Sequence, residues 1–349
     1  DLFRNFKPVV KAADPHALFL GPTTSPSAEF IGRLCDRGFL DVVDGISLHC
    51  YAEPESLIAQ LTALRRTLAE HGKPDLPLYD SECGFMSTVG GVQRLREQAA
   101  KLVRQNLVLK GDGVVAHLTF YPFDYGRDGE GTYGICFSLD DRLGFGPIAL
   151  APKPAVPALA VCAHELLGAK PIWRIQGWGD DLYGYCFLRN GGEPVLAIWT
   201  TGPARILHLP VGDAPSARVT QFMGKIETHP AVNGMIDVEV SDAPVYVAGM
   251  MPELYATPPV GEVLRVYPGQ DIVVDLPAEY EACKTWGIKA AIAPSGQRIS
   301  VGIPANSSAG PFPILLFSKA RKLSGVKWLV VQSPVEVIGY EPMQQDSRL

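Results

Sequence analysis

The chain has 349 residues, of which 47% are hydrophobic and 19% charged, and it carries a formal net charge of −6 at pH 7. That length is enough for two or three domains, each with its own core. The acidic balance argues against a nucleic-acid partner or an anionic membrane surface, and no apolar run is long enough to span a bilayer. Seven cysteines (35, 50, 83, 136, 162, 186 and 283) lack Cys-x-x-Cys spacing, and the seven histidines include no His-x-x-x-His pair. Neither a disulfide framework nor a metal signature is visible. The first residue is Asp1, not Met, and the chain opens directly on an amphipathic helix, a start that a processed or truncated N-terminus would also give.

Leu2, Phe3, Phe6, Val9, Val10 and Ala13 fall at helical spacing, which predicts a buried helix face, and Asp14-Pro15 stops that helix. Residues 17–21 form an apolar run that reads as a strand covered on both faces. Ser27 caps a helix over 28–37, which Gly38 closes. Residues 42–51 read as a second strand, with Gly45, Ser47, His49 and Tyr51 on one side and Ile46, Leu48 and Cys50 on the other. Pro54 opens a helix striped by Leu57, Ile58, Leu61, Leu64 and Leu68. The stretch 76–85 contains a third strand, 77–83, with an acid near its tip. Strict alternation puts Leu78, Asp80 and Glu82 on one face and Tyr79, Ser81 and Cys83 on the other. A helix over about 91–110, a strand over 114–121, a loop over 122–150 rich in Gly, Asp and aromatics, and a helix over 154–167 complete this part.

Strand and helix alternate here over short connections, the pattern of a parallel sheet with helices outside it. Polar side chains gather towards the C-terminal ends of the strands, which suits a (β/α) barrel better than an open doubly wound sheet. After residue 170 the helical period disappears. Short runs at 182–188, 194–200, 204–209, 216–222, 235–240 and 244–249 predict an antiparallel sandwich. Residues 252–259 read as a linker. Runs at 263–267, 271–275, 287–293, 298–303, 312–317 and 327–331 predict a second small sandwich, an Ig-like spacer.

A parallel barrel brings adjacent strand tips together, which would group His49, Tyr51, Glu82 and Tyr121 at one mouth. Cleavage of a glycosidic bond needs a carboxylate placed against the anomeric carbon, while aromatic faces pack on sugar C–H surfaces. Other residues have plainer readings. His117 reads as a satisfied interior histidine, and Asp80 as a structural carboxylate one layer below Glu82. Cys50 and Cys83 point away from the mouth as small hydrophobes. Asp124, Tyr125 and Arg127, in the loop after the strand at 114–121, are candidates for binding sugar hydroxyls. Trp173, Trp178 and Trp199 offer a carbohydrate platform, although Trp199, in an apolar strand, reads as core.

Asp-Gly-Ile-Ser-Leu-His-Cys-Tyr (44–51), followed by Pro-Leu-Tyr-Asp-Ser-Glu-Cys-Gly (77–84), resembles the sixth and seventh barrel strands of the retaining clan A glycoside hydrolases, with families 5 and 39 nearest. Asp14-Pro15-His16-Ala17 before a strand and Pro152-Lys153-Pro154-Ala155 before a helix fit the same pattern. Pro244-Val245-Tyr246-Val247 resembles the closing strand of the small sandwich that follows such barrels. The likeness covers about residues 1–250.

The resemblance implies an α/β plus all-β chain: the C-terminal half of a TIM (β/α)8 barrel over 1–168, strands five to eight, followed by a β-sandwich packed on it over 169–252. The third block, 260–340, is an Ig-like sandwich. It also implies a retaining glycoside hydrolase that cleaves the O-glycosidic bond of a β-linked saccharide. Glu82 would be the nucleophile, with His49 and Tyr51 on the substrate side. Phe120 and Tyr121 stand where the family usually offers a stacking tryptophan. No metal or organic cofactor is implied, and an extracytoplasmic or secreted location is favoured.

Counting strands back from Glu82 places the fourth strand, and with it the acid/base glutamate, upstream of Asp1. Glu53, in Ala52-Glu53-Pro54, is a weaker substitute, since helix initiation already explains its proline. The expected partners are therefore a carbohydrate substrate and a missing N-terminal barrel half, or self-association through open sheet edges. The alternative is a non-catalytic carbohydrate-binding or cell-surface protein with a degenerate barrel.

Overall fold

The computed structural model describes residues 2–119, 121–140, 143–275, 280–286, 288–292, 298–318, 320 and 322–332. The first block runs α1 (Leu2–Ala13), α2 (Ala28–Cys35), β1 (Ile46–His49), α3 (Pro54–Glu70), β2 (Leu78–Cys83), β3 (Thr88–Val89), β4 (Val92–Gln93), α4 (Leu95–Gly111), β5 (Val114–Thr119) and α5 (Ala155–Glu165). Strands β1, β2 and β5 form a parallel sheet in that order. The apolar stripe of α3 and one face of α4 bury Leu57, Leu61, Leu64, Leu102, Val103 and Leu107 against Ile46, Leu48 and Leu78. Ser27 caps α2 by accepting the Phe30 N–H.

Two boundaries differ from expectation. Residues 17–21 are not a covered strand: Leu20 makes one parallel bridge to Gly45, and Thr24 another to Leu48. Ala17, Leu18, Phe19 and Leu20 all remain at least partly exposed, so burial on both faces does not select an extended ladder. The helix expected from about 91 begins at Leu95, because Gly90 and Gly91, at φ 59° and 75°, turn the chain into the β3–β4 hairpin first.

A third difference matters most. Leu48 pairs with Asp80, yet the next residue, His49, pairs with Glu82. On the other side of β2, Asp80 pairs with His117 and Cys83 with Thr119. β2 therefore carries an extra residue, a bulge that breaks strict alternation. Ser81 meets Ser47 at 2.6 Å between hydroxyls, and Glu82 joins this same face. Asp80 stays on the helix side with Cys50 and Cys83, all buried. It accepts the Cys50 N–H at 3.1 Å, and burial raises its pKa. Asp80 is thus not one layer below Glu82. His117 also faces the helices, where its Nε2 meets Asn106 Oδ1 of α4.

The second block holds β6 (Lys170–Arg174), β7 (Leu182–Leu188), β8 (Pro194–Thr200), β9 (Arg205–Pro210), β10 (Ser216–Thr220), β11 (Ile226–Pro230), β12 (Met235–Val240), β13 (Val245–Ala248) and α6 (Pro252–Tyr255). An antiparallel sheet runs β11-β10-β13-β8-β7-β6, and β12 pairs with β9. β6 and β11 lie outside the expected runs, being too polar to signal a strand, and α6 occupies the start of the expected linker. The larger sheet is buried on both faces. Tyr185, Phe187, Ala197, Trp199 and Tyr246 join the helix-side core, while Cys186, Leu196, Ile198, Val245 and Val247 join a second core. This explains why 194–200 is continuously apolar rather than alternating.

The third block holds β14 (Leu264–Val266), β15 (Asp271–Asp275), β16 (Tyr280–Thr285), β17 (Lys289–Ile292), β18 (Arg298–Gly302), β19 (Gly310–Ser318) and β20 (Leu323–Val331), in sheets β14-β20-β19-β16 and β15-β18-β17. Positions 287 and 293 of an expected strand, and the expected end at 340, lie outside the described residues. Among the described residues no helix is long and apolar enough to cross a membrane.

Two buried polar side chains organise the long loop after β5. Lys153 Nζ, fully buried, contacts Asp124 Oδ1 at 2.6 Å, Ser87 Oγ at 2.8 Å and the Gly134 carbonyl at 2.8 Å. Gln98 of α4 donates through Nε2 to the carbonyls of Phe85, at 2.8 Å, and Gly134, at 3.1 Å. Burial pushes the Asp124 carboxyl up and the Lys153 amine down, each opposed by the other's charge.

Breaking a buried ion pair by removing one partner costs about 3–5 kcal/mol, so Lys153→Met should lose stability on that scale in urea unfolding. The double variant Lys153→Met/Asp124→Asn should lose less, and equal losses would contradict a paired role. At the other end of the block, α1 does not have the buried face its spacing predicts: it buries no residue, Leu2, Phe6 and Val9 are exposed, and it is tied down by Phe3 and by Asp44. The Asp44 carboxyl is held well below the usual range by Lys7, the Phe19 N–H and Lys11. A depressed folded pKa means this stabilisation is complete above the unfolded value of about 4 and is lost as pH falls towards the folded one. Cleavage between residues 13 and 18 by an acid protease should therefore be slow near pH 5 and accelerate below pH 4 in wild type, whereas Asp44→Asn should be cleaved readily at both.

Candidate active site

The C-terminal ends of β1 and β2 bring three of the expected residues together. Tyr51 donates its hydroxyl to Glu82 Oε1 at 2.6 Å, and His49 Nε2 stands 3.4 Å from Glu82 Oε2. The Glu82 side chain is 21% exposed and that of His49 32%, so the carboxylate is held yet reachable from solvent. Each residue comes from a distinct local cause. Ile46 and Leu48 bury one face of β1, which leaves Ser47 and His49 on the other. Tyr51 follows just before Pro54 starts α3. The bulge then turns Glu82 towards them. Burial and the bond to Glu82 raise the Tyr51 hydroxyl well above its ordinary pKa, so it stays protonated and able to donate.

An aromatic wall continues from Tyr51. Its ring meets Tyr133 edge to face at 5.5 Å; Tyr133 stacks on Tyr121 at 5.5 Å with 21° between planes, and Tyr121 lies 5.4 Å from Tyr125. Tyr133 was not singled out by sequence reasoning, because nothing in a Gly- and Asp-rich loop marks one aromatic over its neighbours. The available signal was Gly84: a Cβ there would lie 3.1 Å from the Tyr133 ring, so glycine after the Glu82 strand permits the approach.

Tyr121 belongs to this wall, while Phe120 lies outside the described residues. Asp124 is corrected: instead of facing sugar hydroxyls it is buried, its carboxylate committed to Lys153. It acts on the site by holding the loop that carries Tyr125 and Tyr133. Arg127 packs over Phe145 at 5.8 Å. Glu53 bonds Lys101 of α4 at 2.8 Å. Among the described residues no cluster of three or more His, Cys, Asp or Glu side chains could hold a metal. The chemistry available is a positioned carboxylate with one phenolic donor, a neighbouring imidazole and stacked aromatic faces.

No family model matches the sequence, and no curated protein is similar enough to count as a relative. Solved structures are similar in shape. A GH51 arabinofuranosidase from Xanthomonas axonopodis pv. citri aligns at TM-score 0.47 and 12% identity, over 71% of this chain and 61% of that one. A GH39 β-xylosidase from Caulobacter crescentus aligns at 0.43 and 16%, over 71% and 61%. A family 39 glycoside hydrolase from the gut symbiont Bacteroides cellulosilyticus WH2 aligns at 0.57 and 22%, over 71% of this chain and 54% of that one. The chain therefore spans 54% to 61% of the length of these three proteins. In fold, this chain is similar to a family 39 glycoside hydrolase over 71% of its own length.

Proposed function

We propose that this chain is the C-terminal barrel half and following β-sandwiches of a retaining glycoside hydrolase acting on a β-linked saccharide, with Glu82 as nucleophile. The observation that carries the reading is a partly exposed carboxylate at a parallel strand's C-terminal end, fixed through one oxygen by Tyr51 and flanked by stacked tyrosines. Glu82 attacks the anomeric carbon as the glycosidic C–O bond breaks, and a general acid protonates the departing oxygen. Water, deprotonated by that same acid/base residue, then attacks the anomeric carbon and frees Glu82. Tyr51 orients the nucleophile, and the tyrosine wall packs on the sugar. Retention requires a second carboxyl about 5–5.5 Å from Glu82. The proposal assigns it to a glutamate N-terminal to Asp1.

The exposed side chains of the first block support completion by further strands. Val115 and Leu118 on β5 are 61% and 52% exposed, and Leu2, Phe6, Val9 and Leu18 are also open. Large apolar groups left in water on a strand and a helix call for a covering element. The proposed cover is the N-terminal barrel half, with self-association of the open edge as the alternative.

In the full-length protein, Glu82→Gln should reduce glycosidase turnover by at least about a thousandfold, the scale on which removing a catalytic group falls. A 2-fluoro glycoside should trap a covalent adduct on the peptide containing Glu82 in wild type only. Unchanged turnover in Glu82→Gln, or an adduct elsewhere, would leave the non-catalytic carbohydrate-binding reading in its place. Tyr51→Phe removes a hydrogen bond to a charged group, worth about 1.5–3 kcal/mol, so kcat/KM should fall roughly tenfold to a hundredfold. An unaffected kcat/KM would exclude Tyr51 from orienting the nucleophile.

A further inference from the structure

Trp173 and Trp178, which the sequence offers as a sugar platform, both pack on Trp328 of β20, at 5.9 Å and 4.9 Å between ring centroids, against the second core. Trp199 is fully buried in the helix-side core and donates to Glu55 at 2.8 Å. These indoles serve packing. Three hydroxyls with no part in the catalytic reading, those of Thr23, Ser47 and Ser81, lie one step back along the strands from His49 and Glu82.

The bulge in β2 can be located to one residue. Ile46 N–H donates to the Pro77 carbonyl at 2.9 Å. In an unbroken parallel ladder the two strands advance together, so Cys50 N–H would reach the Ser81 carbonyl. It donates instead to the Glu82 carbonyl, at 3.1 Å. Ser81 is the residue passed over, and it stands opposite no residue of β1 or of β5 in the register. An extra residue of this kind keeps its place through contacts other than the ladder.

The Ser81 side chain supplies them. Its Oγ donates to the Leu48 carbonyl at 3.3 Å and lies 2.6 Å from Ser47 Oγ, with Thr23 Oγ1 a longer 3.4 Å behind Ser47. Each hydroxyl has one proton to give, so the three bonds run in one direction: Thr23 to Ser47, Ser47 to Ser81, and Ser81 to the β1 backbone. Ser47 is buried, so its bond to Ser81 is not readily exchanged for one to water. On the helix side, Asp80 Oδ1 accepts the Cys50 N–H at 3.1 Å. The bulge is thus gripped from both faces of the sheet. The Ser81 grip closes on Leu48, the residue before His49, and so ties the strand that carries the nucleophile to the one that carries its neighbours.

We propose that Ser81 is a positioning residue, whose hydroxyl pins the bulge and thereby sets the aim of Glu82 towards Tyr51 and the anomeric carbon. This role rests on the catalytic reading and deepens it, by naming the group through which the strand holds its nucleophile. A reacting group misplaced by about 1 Å can cost roughly a hundredfold in rate. Ser81 has no part in the tyrosine wall, so loss of the pin slows the attack of Glu82 and spares the binding of the sugar.

Three variants of the full-length protein separate the hydroxyl from the shape. Ser81→Ala removes it, Ser81→Thr keeps it, and Ser81→Val has the shape of threonine without it. Inactivation by a 2-fluoro glycoside reads the attack of Glu82 alone. Amide hydrogen exchange at Cys50 reads the bulge without any need for turnover, with Ile46 N–H, ahead of the bulge, as the internal reference. In Ser81→Ala and Ser81→Val the limiting inactivation rate should fall about tenfold or more, with the half-saturating concentration within about twofold of wild type. Cys50 should exchange about tenfold faster in both, with Ile46 unchanged. Ser81→Thr should stay within about threefold of wild type in both measurements. Wild-type behaviour of Ser81→Ala in either measurement, equal losses in Ser81→Thr and Ser81→Val, or equal acceleration at Ile46 and Cys50 overturns the proposal. Should Ser81→Val fail to fold, the comparison of Ser81→Ala with Ser81→Thr decides. If Glu82→Gln keeps full turnover the catalytic reading fails by itself, while exchange at Cys50 still decides whether the hydroxyl pins the bulge.

Discussion

The pairing of His49 with Glu82 depends on one residue more in β2 than its neighbours can match. Without that bulge, the period-2 geometry of a strand would carry Glu82 to the helix side with Leu78 and Asp80, into an apolar core where an unpaired carboxylate is strongly disfavoured. With it, the chain separates two acids lying two positions apart. Asp80 is sealed among Cys50, Cys83 and the Cys50 N–H, while Glu82 is turned to solvent and to Tyr51. Bulges recur beside functional groups because they re-aim a side chain without disturbing the rest of the ladder.

Around that point, buried polar groups do work that apolar packing does not. The loop carrying Tyr125 and Tyr133 has little regular structure, yet its carbonyls converge on Lys153 Nζ and Gln98 Nε2. Directional donors of this kind specify a single arrangement where a hydrophobic contact would accept several. α5, which follows directly from Lys153, ends in Glu165, a buried carboxylate held by Arg218 at 2.7 Å and Thr220 at 2.8 Å in the six-stranded sheet. α5 is therefore anchored by polar contacts near both ends, on that sheet through Glu165 and beneath the tyrosine wall through Lys153.

Much of this was legible in the sequence because it rests on periodicity. The helix stripes, the buried faces of 46–50 and the change of texture after residue 170 each follow from local pattern. The group His49, Tyr51 and Glu82 was also legible, although by a route that held only in part: alternation gives the side for His49 and Tyr51, whereas the side for Glu82 comes from a bulge that no local signal announces. Asp124 and Lys153 illustrate the opposite case. Both look like loop charges, and only tertiary packing makes them a buried pair. The polar strands β6 and β11 are recruited by neighbours on the sheet rather than by their own composition. Trp173 and Trp328 lie 155 positions apart, a separation no local pattern can bridge.

The six-stranded sheet has a consequence for how the molecule comes apart. One of its faces belongs to the core that contains α3, α4 and α5, and the other to the core that reaches Trp328. The change in sequence texture near residue 170 is therefore not a seam in energy. Cutting there would strip Tyr185, Phe187, Trp199 and Tyr246 from the helices and leave a broad apolar surface in water. The strands that present Glu82 and the sheet that lies behind them form one cooperative unit, and any shortened version of this protein that keeps the site must keep that sheet as well.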